Sequence, residues 1–207
     1  MNWIERMYEI KGRDLYSQNG EGLYLEYIFH SLKECGHDQF IDIGAGDGFI
    51  LSNTKHLRTL GWYGIELDKL NGQTVTKDNL LSLFAHIVPS LISIDTDGND
   101  YWFLETIFKS SFIPPVIIAE FNASYTDSRT IKYNPDHVWA GDSYYGFTFE
   151  AGKKLAEKHG YKVIFQIADM NMIMVREDLI QGLHIPEVTY KQSDYFKMSE
   201  RTDWVWI

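Results

Sequence analysis

The stretch Phe40-Ile41-Asp42-Ile43-Gly44-Ala45-Gly46-Asp47-Gly48 governs how the rest of the chain reads. A short apolar run ends in three alternating glycines, the pattern of a strand entering a tight turn. Glycine admits positive φ and lets the backbone approach a ligand, and a helix beginning there offers free N–H groups, so a nucleotide-like ligand is expected over this bend. The spacing differs from the G-x-G-x-x-G of dinucleotide sites. Asp42, two residues before the first glycine, suits an ammonium or hydroxyl better than a pyrophosphate. Eighteen residues beyond Gly48, at the end of the next apolar run, Glu66 stands where an acid accepts ribose hydroxyls.

Working outward, Leu25, Ile28, Phe29 and Leu32 keep the spacing of a buried helical stripe, with Gly36 placed to close it. After the glycine bend the pattern predicts a helix over 50–60 ended by Gly61, a strand over 62–67 and a short third strand over 74–76. A helix capped by Asp78 or Asn79 follows, then a strand over 91–94 and a helix capped by Asp97 or Asn99. Pro114 and Pro115 precede an apolar run over 116–121, broken only by Glu120, of the kind buried on both sheet faces. A long irregular stretch over 122–145 leads to a helix over 147–159. Two β-rich segments, 161–167 and 172–176, are joined too tightly for anything but an antiparallel hairpin. The alternation defines an α/β fold: a doubly wound, mostly parallel sheet with an antiparallel C-terminal hairpin, in a single domain over 1–207. Residues 1–38 form a helical cap and 183–207 an aromatic tail.

Hydrophobic residues at 44% and charged residues at 23% exclude disordered and coiled-coil classes. Nineteen basic against twenty-nine acidic side chains leave a net charge of −10, which repels nucleic acid and anionic membranes; neither is expected as a partner. One cysteine, Cys35, permits no internal disulfide and no cysteine zinc site, in keeping with a reducing cytoplasm. No signal-peptide run opens the chain, and the apolar stretch over 80–94 is too short to span a bilayer.

An ordered series of blocks carries a resemblance. They are YSQNGE (Tyr16 to Glu21), FIDIGAGDG with LSNT (Leu51 to Thr54), GWYGIE (Gly61 to Glu66), SIDTDGNDYW (Ser93 to Trp102), IIAEFN (Ile117 to Asn122), and the GY and MVRED ending. With these the chain resembles class I S-adenosylmethionine-dependent methyltransferases, and among them the FkbM-like methyltransferases. The resemblance implies a seven-stranded Rossmann-like sheet and S-adenosylmethionine as cofactor. Asp42, Gly44, Ala45 and Gly46 would hold its methionine part and Glu66 its ribose. The Asp95 region would form the inner wall, with Asn53 beside it and Gln18 in a lid segment. One departure stands out. Six residues separate Leu67 from Thr74, where the family has a full helix and a longer strand. The adenine side is thereby left for a partner, the tail or a neighbouring subunit of a homo-oligomer to close.

At the strand ends stand Asp95, Asp97, Glu120 and Asn122, and a buried acid is costly unless paired or bound to a cation. Two chemistries justify them. One is a hard divalent ion such as Mg2+, resembling catechol-type O-methyltransferases. The other is metal-free general-base catalysis by Asp95 or His137. Against these, Asp97 and Asn99 read equally as helix caps, Asn122 as a turn residue and His137 as a surface histidine. Trp139 and Tyr145 line a substrate wall or pack the loop. The expected activity is O-methylation of a sugar, glycan or small metabolite; the rival reading is a noncatalytic binding or assembly module on the same fold.

Overall fold

The computed structural model describes residues 1–32 and 37–207. Cys35 and the expected helix-closing Gly36 lie outside the described residues. Strand β1 (Gln39–Ile43) has β2 (Tyr63–Leu67) and β3 (Leu91–Ile94) parallel on either side, and β4 (Val116–Glu120) runs parallel beyond β3. A two-residue strand β5 (Arg129–Thr130) belongs to a small separate sheet. The chain then forms a hairpin of β6 (Tyr161–Ile167) and β7 (Asn171–Arg176), and β7 lies antiparallel against β4. The main sheet thus has the order β2-β1-β3-β4-β7-β6, while β8 (Val205–Trp206) pairs with β5.

Strand alternation sends side chains to two cores. Ile41, Ile43, Ile92, Ile94, Ile117 and Ala119 pack under α4 (Leu80–Leu83), α5 (Asp100–Phe108) and α6 (Phe149–Lys158). Phe40, Leu91, Val116 and Ile118 pack under α1 (Trp3–Met7), α2 (Glu21–Ser31) and α3 (Lys55–Thr59). These two-sided strands are why the sequence shows continuous apolar runs, and the doubly wound α/β expectation holds. Among the described residues no helix is long and apolar enough to cross a membrane.

Four expectations are corrected. The main sheet has six strands, not seven. Residues 74–76 form no strand, and after Leu67 the chain makes only a single 3-10 turn, Lys69–Asn71. A parallel crossover takes a dozen or more residues, and the interval before Thr74 cannot supply it. The helix over 50–60 shrinks to Lys55–Thr59. Leu51 has φ +58°, outside helical space, and the polar residues before the helix bond elsewhere: Ser52 Oγ accepts from the Lys55 N–H at 3.0 Å, and Thr54 Oγ1 donates to Asp42 at 2.7 Å. No helix N-terminus therefore stands directly behind the glycine bend. Before α5, neither Asp97 nor Asn99 makes a side-chain cap. Asp100 gathers the loop instead, accepting from the N–H groups of Thr96 at 2.7 Å and Gly98 at 2.9 Å.

Candidate functional site

The glycine bend sits where three strands end. Gly44 donates its N–H to the Leu67 carbonyl at 2.8 Å, and Asp95 donates to the Ile43 carbonyl at 2.9 Å, so β1, β2 and β3 are laced together at their carboxyl ends. Gly44 has φ +90°, and a methyl group on it would run into the Asp95 carbonyl. Only glycine fits there.

A cleft of about 120 Å³ opens over this junction, walled by Gly44, Leu67, Asp68, Thr96, Phe103 and His137. Asp68 presents its carboxylate there, accepting from the Gly46 N–H at 3.2 Å and the Leu70 N–H at 2.7 Å. Glu66, the expected ribose acceptor, does not line the cleft. It is ion-paired with Arg58 at 2.6 Å and lies under Gly48, where an added Cβ would come 2.7 Å from its Oε2. The acid facing the cleft is the one two residues later, which sequence reasoning passed over. Asp42 and Asn53 also stand away from the cleft, on the α3 side of the sheet: Asn53 donates to Ser93 at 3.2 Å, and Asp42 receives Thr54. Burial raises the Asp42 carboxyl to about 6 despite the Thr54 and Ser93 hydroxyls. Ala45 is buried, and Gln18 is exposed on the segment that Asp14 organises through its bonds to Tyr16, Ser17 and Gly22.

His137 lines this cleft and also a second cavity of about 280 Å³ bounded by Lys132, Asn134, Tyr144, Arg201 and Asp203. Gly98 makes the room: a Cβ on it would lie 2.5 Å from the His137 ring. The ring's Nε2 is buried without a hydrogen-bond partner, and burial pushes the imidazole down from its ordinary value, so it is neutral at pH 7. Trp139 and Tyr145 do come together, ring centroids 5.6 Å apart, with Phe196 from the tail 5.0 Å from Trp139.

Behind His137 the structure gathers the predicted acids. Asp95, Asp97 and Glu120 each place one carboxylate oxygen within 4.8 Å of the other two. Burial first, then neighbouring negative charges, raises all three: Asp97 to about 6, and Asp95 and Glu120 well above the usual carboxylate range as they lean on each other. Tyr145, buried beside them, has its hydroxyl pushed far up by burial and then by Glu120. Asn122, expected beside these acids, has its side chain bonded to the backbone. Its amide donates to the Ser143 and Tyr145 carbonyls at 2.9 and 3.0 Å and its oxygen accepts from the Ser124 N–H, so it is spent on holding the loop that carries Tyr145.

No family model and no curated protein matches the chain. Among solved structures it is similar to a "putative hemolysin" from Lactococcus lactis, at 14% identity over 86% of this chain and 94% of that one, with a TM-score of 0.48. A second "putative hemolysin", from Streptococcus thermophilus, is 18% identical over 81% and 70% of the two chains, with a TM-score of 0.35. PigF, solved with SAH, is 12% identical over 86% and 62%, with a TM-score of 0.32. Likeness at this level concerns the course of the backbone alone, and the sheet order above rests on the structure itself.

Proposed function

We propose that the chain is an S-adenosylmethionine-dependent methyltransferase acting on a hydroxyl of a sugar, glycan or small metabolite. The observation that carries the reading is the placement of His137, whose unpartnered Nε2 belongs to the residue dividing the cleft over Gly44 and Asp68 from the second cavity. The cleft's chemistry fits an adenosyl group: apolar Leu67 and Phe103 for a flat ring, and an acid, Asp68, for ribose hydroxyls. Its volume of about 120 Å³ is below the ~300 Å³ of ordinary ligand sites, so binding requires the cleft to widen.

The cofactor, when bound, supplies an electrophilic methyl group. The chain's own residues supply the rest. Gly44 lets the backbone come close, Asp68 accepts the hydroxyls, and neutral His137 takes the acceptor's proton at Nε2 as the new oxygen–carbon bond forms. Trp139 and Tyr145 wall the acceptor side, and exclusion of water with alignment of the reacting atoms supplies much of the rate.

Calorimetry with S-adenosylhomocysteine tests this. The wild type binds, and Asp68→Asn weakens binding by about tenfold or more, the worth of a hydrogen bond to a charged group. Glu66→Gln, by contrast, changes little. Absence of binding at millimolar ligand removes the proposal. The Arg58–Glu66 pair and the narrow cleft favour one rival, a noncatalytic module on the same fold, which would show no such binding together with a stable oligomer or hetero-complex.

A further inference from the structure

The second cavity, of about 280 Å³, differs in charge from the cleft beside it. Lys132 and Arg201 line it against a single acid, Asp203, so its wall carries one unbalanced positive charge in a chain whose net charge is −10. Lys132 forms no ion pair among the described residues. Arg201 gives Nε and Nη2 to Asp203 at 3.0 and 2.8 Å and lies 4.1 Å over the Tyr144 ring, an arrangement that leaves Nη1 unbonded among the described residues. The guanidinium is held before anything binds. Its segment of the tail is tied on both sides: the Ser199 N–H donates to Ser143 Oγ at 2.9 Å, and Val205 pairs with Thr130 where β8 meets β5. Trp204 packs edge-on against the Tyr144 ring, centroids 4.7 Å apart, so the wall from the tail is locked to the wall from the loop. A site ordered in advance loses less freedom on binding.

A guanidinium fork beside an ammonium is the chemistry that holds a carboxylate or a phosphate, and charge separates the two. One carboxylate balances the wall. A phosphate monoester would bring about two negative charges up to the three acids gathered behind His137. The volume is near the ~300 Å³ lower end of ligand sites, which suits one sugar ring better than a chain of them. His137, with its Nε2 unpartnered, stands at the border with the cleft over Gly44 and is the nearest group to which a hydroxyl of the same molecule can donate. We propose that this cavity binds a small hydroxy acid of the sugar-acid kind, its carboxylate held by Lys132 and Arg201 and a hydroxyl turned to His137. That the bound acid is the methyl acceptor rests on the methyltransferase reading; the binding does not.

The test uses the full chain without cofactor. Saturation-transfer-difference NMR at millimolar ligand compares glucuronate, galacturonate and gluconate with glucose, galactose and inorganic phosphate. The expected result is saturable binding of at least one sugar acid, with the neutral sugars weaker by about tenfold or more, the worth of a hydrogen bond to a charged group. Arg201→Gln should weaken the acid by about tenfold and remove its advantage over the neutral sugar, and Lys132→Gln should weaken it less. Both side chains are exposed, and circular dichroism reports folding of both variants; if Arg201→Gln does not fold, Lys132→Gln decides. No saturable binding of any sugar acid, neutral sugars or phosphate binding as tightly, or affinity unchanged in the folded variants overturns the proposal. Because S-adenosylhomocysteine is absent throughout, this outcome is separate from the fate of the methyltransferase reading.

Discussion

Asp42 is the acid to replace first. Its carboxylate is 3% exposed, bonded to the Thr54 hydroxyl, and titrates near 6 in the fold against 3.8 in a free chain. A carboxyl raised in this way favours the folded state only while it is protonated. The contribution is fully present below pH 3.8, fades as pH rises and is gone above about 6, leaving the fold about 3 kcal/mol weaker at neutral pH. Asn in its place keeps an oxygen for Thr54, gains an N–H toward Ser93 and carries no charge. Asp42→Asn is therefore expected to be more stable than wild type at pH 7 by up to about 3 kcal/mol, roughly 6–12 °C in Tm for a chain of this size, and no more stable at pH 4. Urea unfolding followed by circular dichroism from pH 4 to 8 reads the difference between the two proteins, which cancels the titration of the distant acids common to both. Equal stability of the two chains at every pH would refute the reasoning: Asp42 would then be ionised in the fold at no cost, held by a cation that the surroundings do not show.

Two further substitutions probe backbone and site. Gly98→Ala puts a methyl group 2.5 Å from the His137 ring, so the ring must leave its place between the two cavities. The variant should stay folded while methyl transfer falls by about 10²-fold or more, the worth of a general base; an unimpaired rate in the folded variant would clear His137 of that role. Leu51→Gly removes an exposed side chain from a left-handed position, φ +58°. Relief of about 1–2 kcal/mol, less the greater freedom of glycine in the unfolded chain, should raise the urea midpoint by the equivalent of about 0.5–1 kcal/mol with an unchanged slope; a lowered midpoint would show that Leu51 is doing something in the fold that its exposure hides.

The six strands of the main sheet were legible because their signals are local. Leu91–Ile94 runs between a proline-containing loop and Asp95, and the hairpin turn carries Ala168 and Asp169 at φ +51° and +52°, the conformation tight hairpins require. The segment after the glycines was not legible. Asn53 and Thr54 look like helix residues in a row of letters, yet their side chains are drawn inward to Ser93 on β3 and Asp42 on β1. Glu66 and Asp68 offer the same chemistry two positions apart, and only the Arg58 guanidinium, arriving from α3, takes the first out of contention. Asp95, Asp97 and Glu120 could be read as a group because strand ends converge in any open sheet of this class. Asn122 could not be separated from them, since its three hydrogen bonds go to backbone groups of a loop with no regular pattern.

The position of β7 has a consequence for how the protein is made. Glu120 ends β4, but the strand that covers that edge begins only at Asn171. During translation the ribosome must add about fifty residues before Val116-Ile117-Ile118-Ala119 gains its antiparallel neighbour, and until then a bare apolar edge invites pairing with other nascent chains. Slow decoding or premature termination in that interval should therefore load chaperones far more heavily than the same event after the hairpin has emerged.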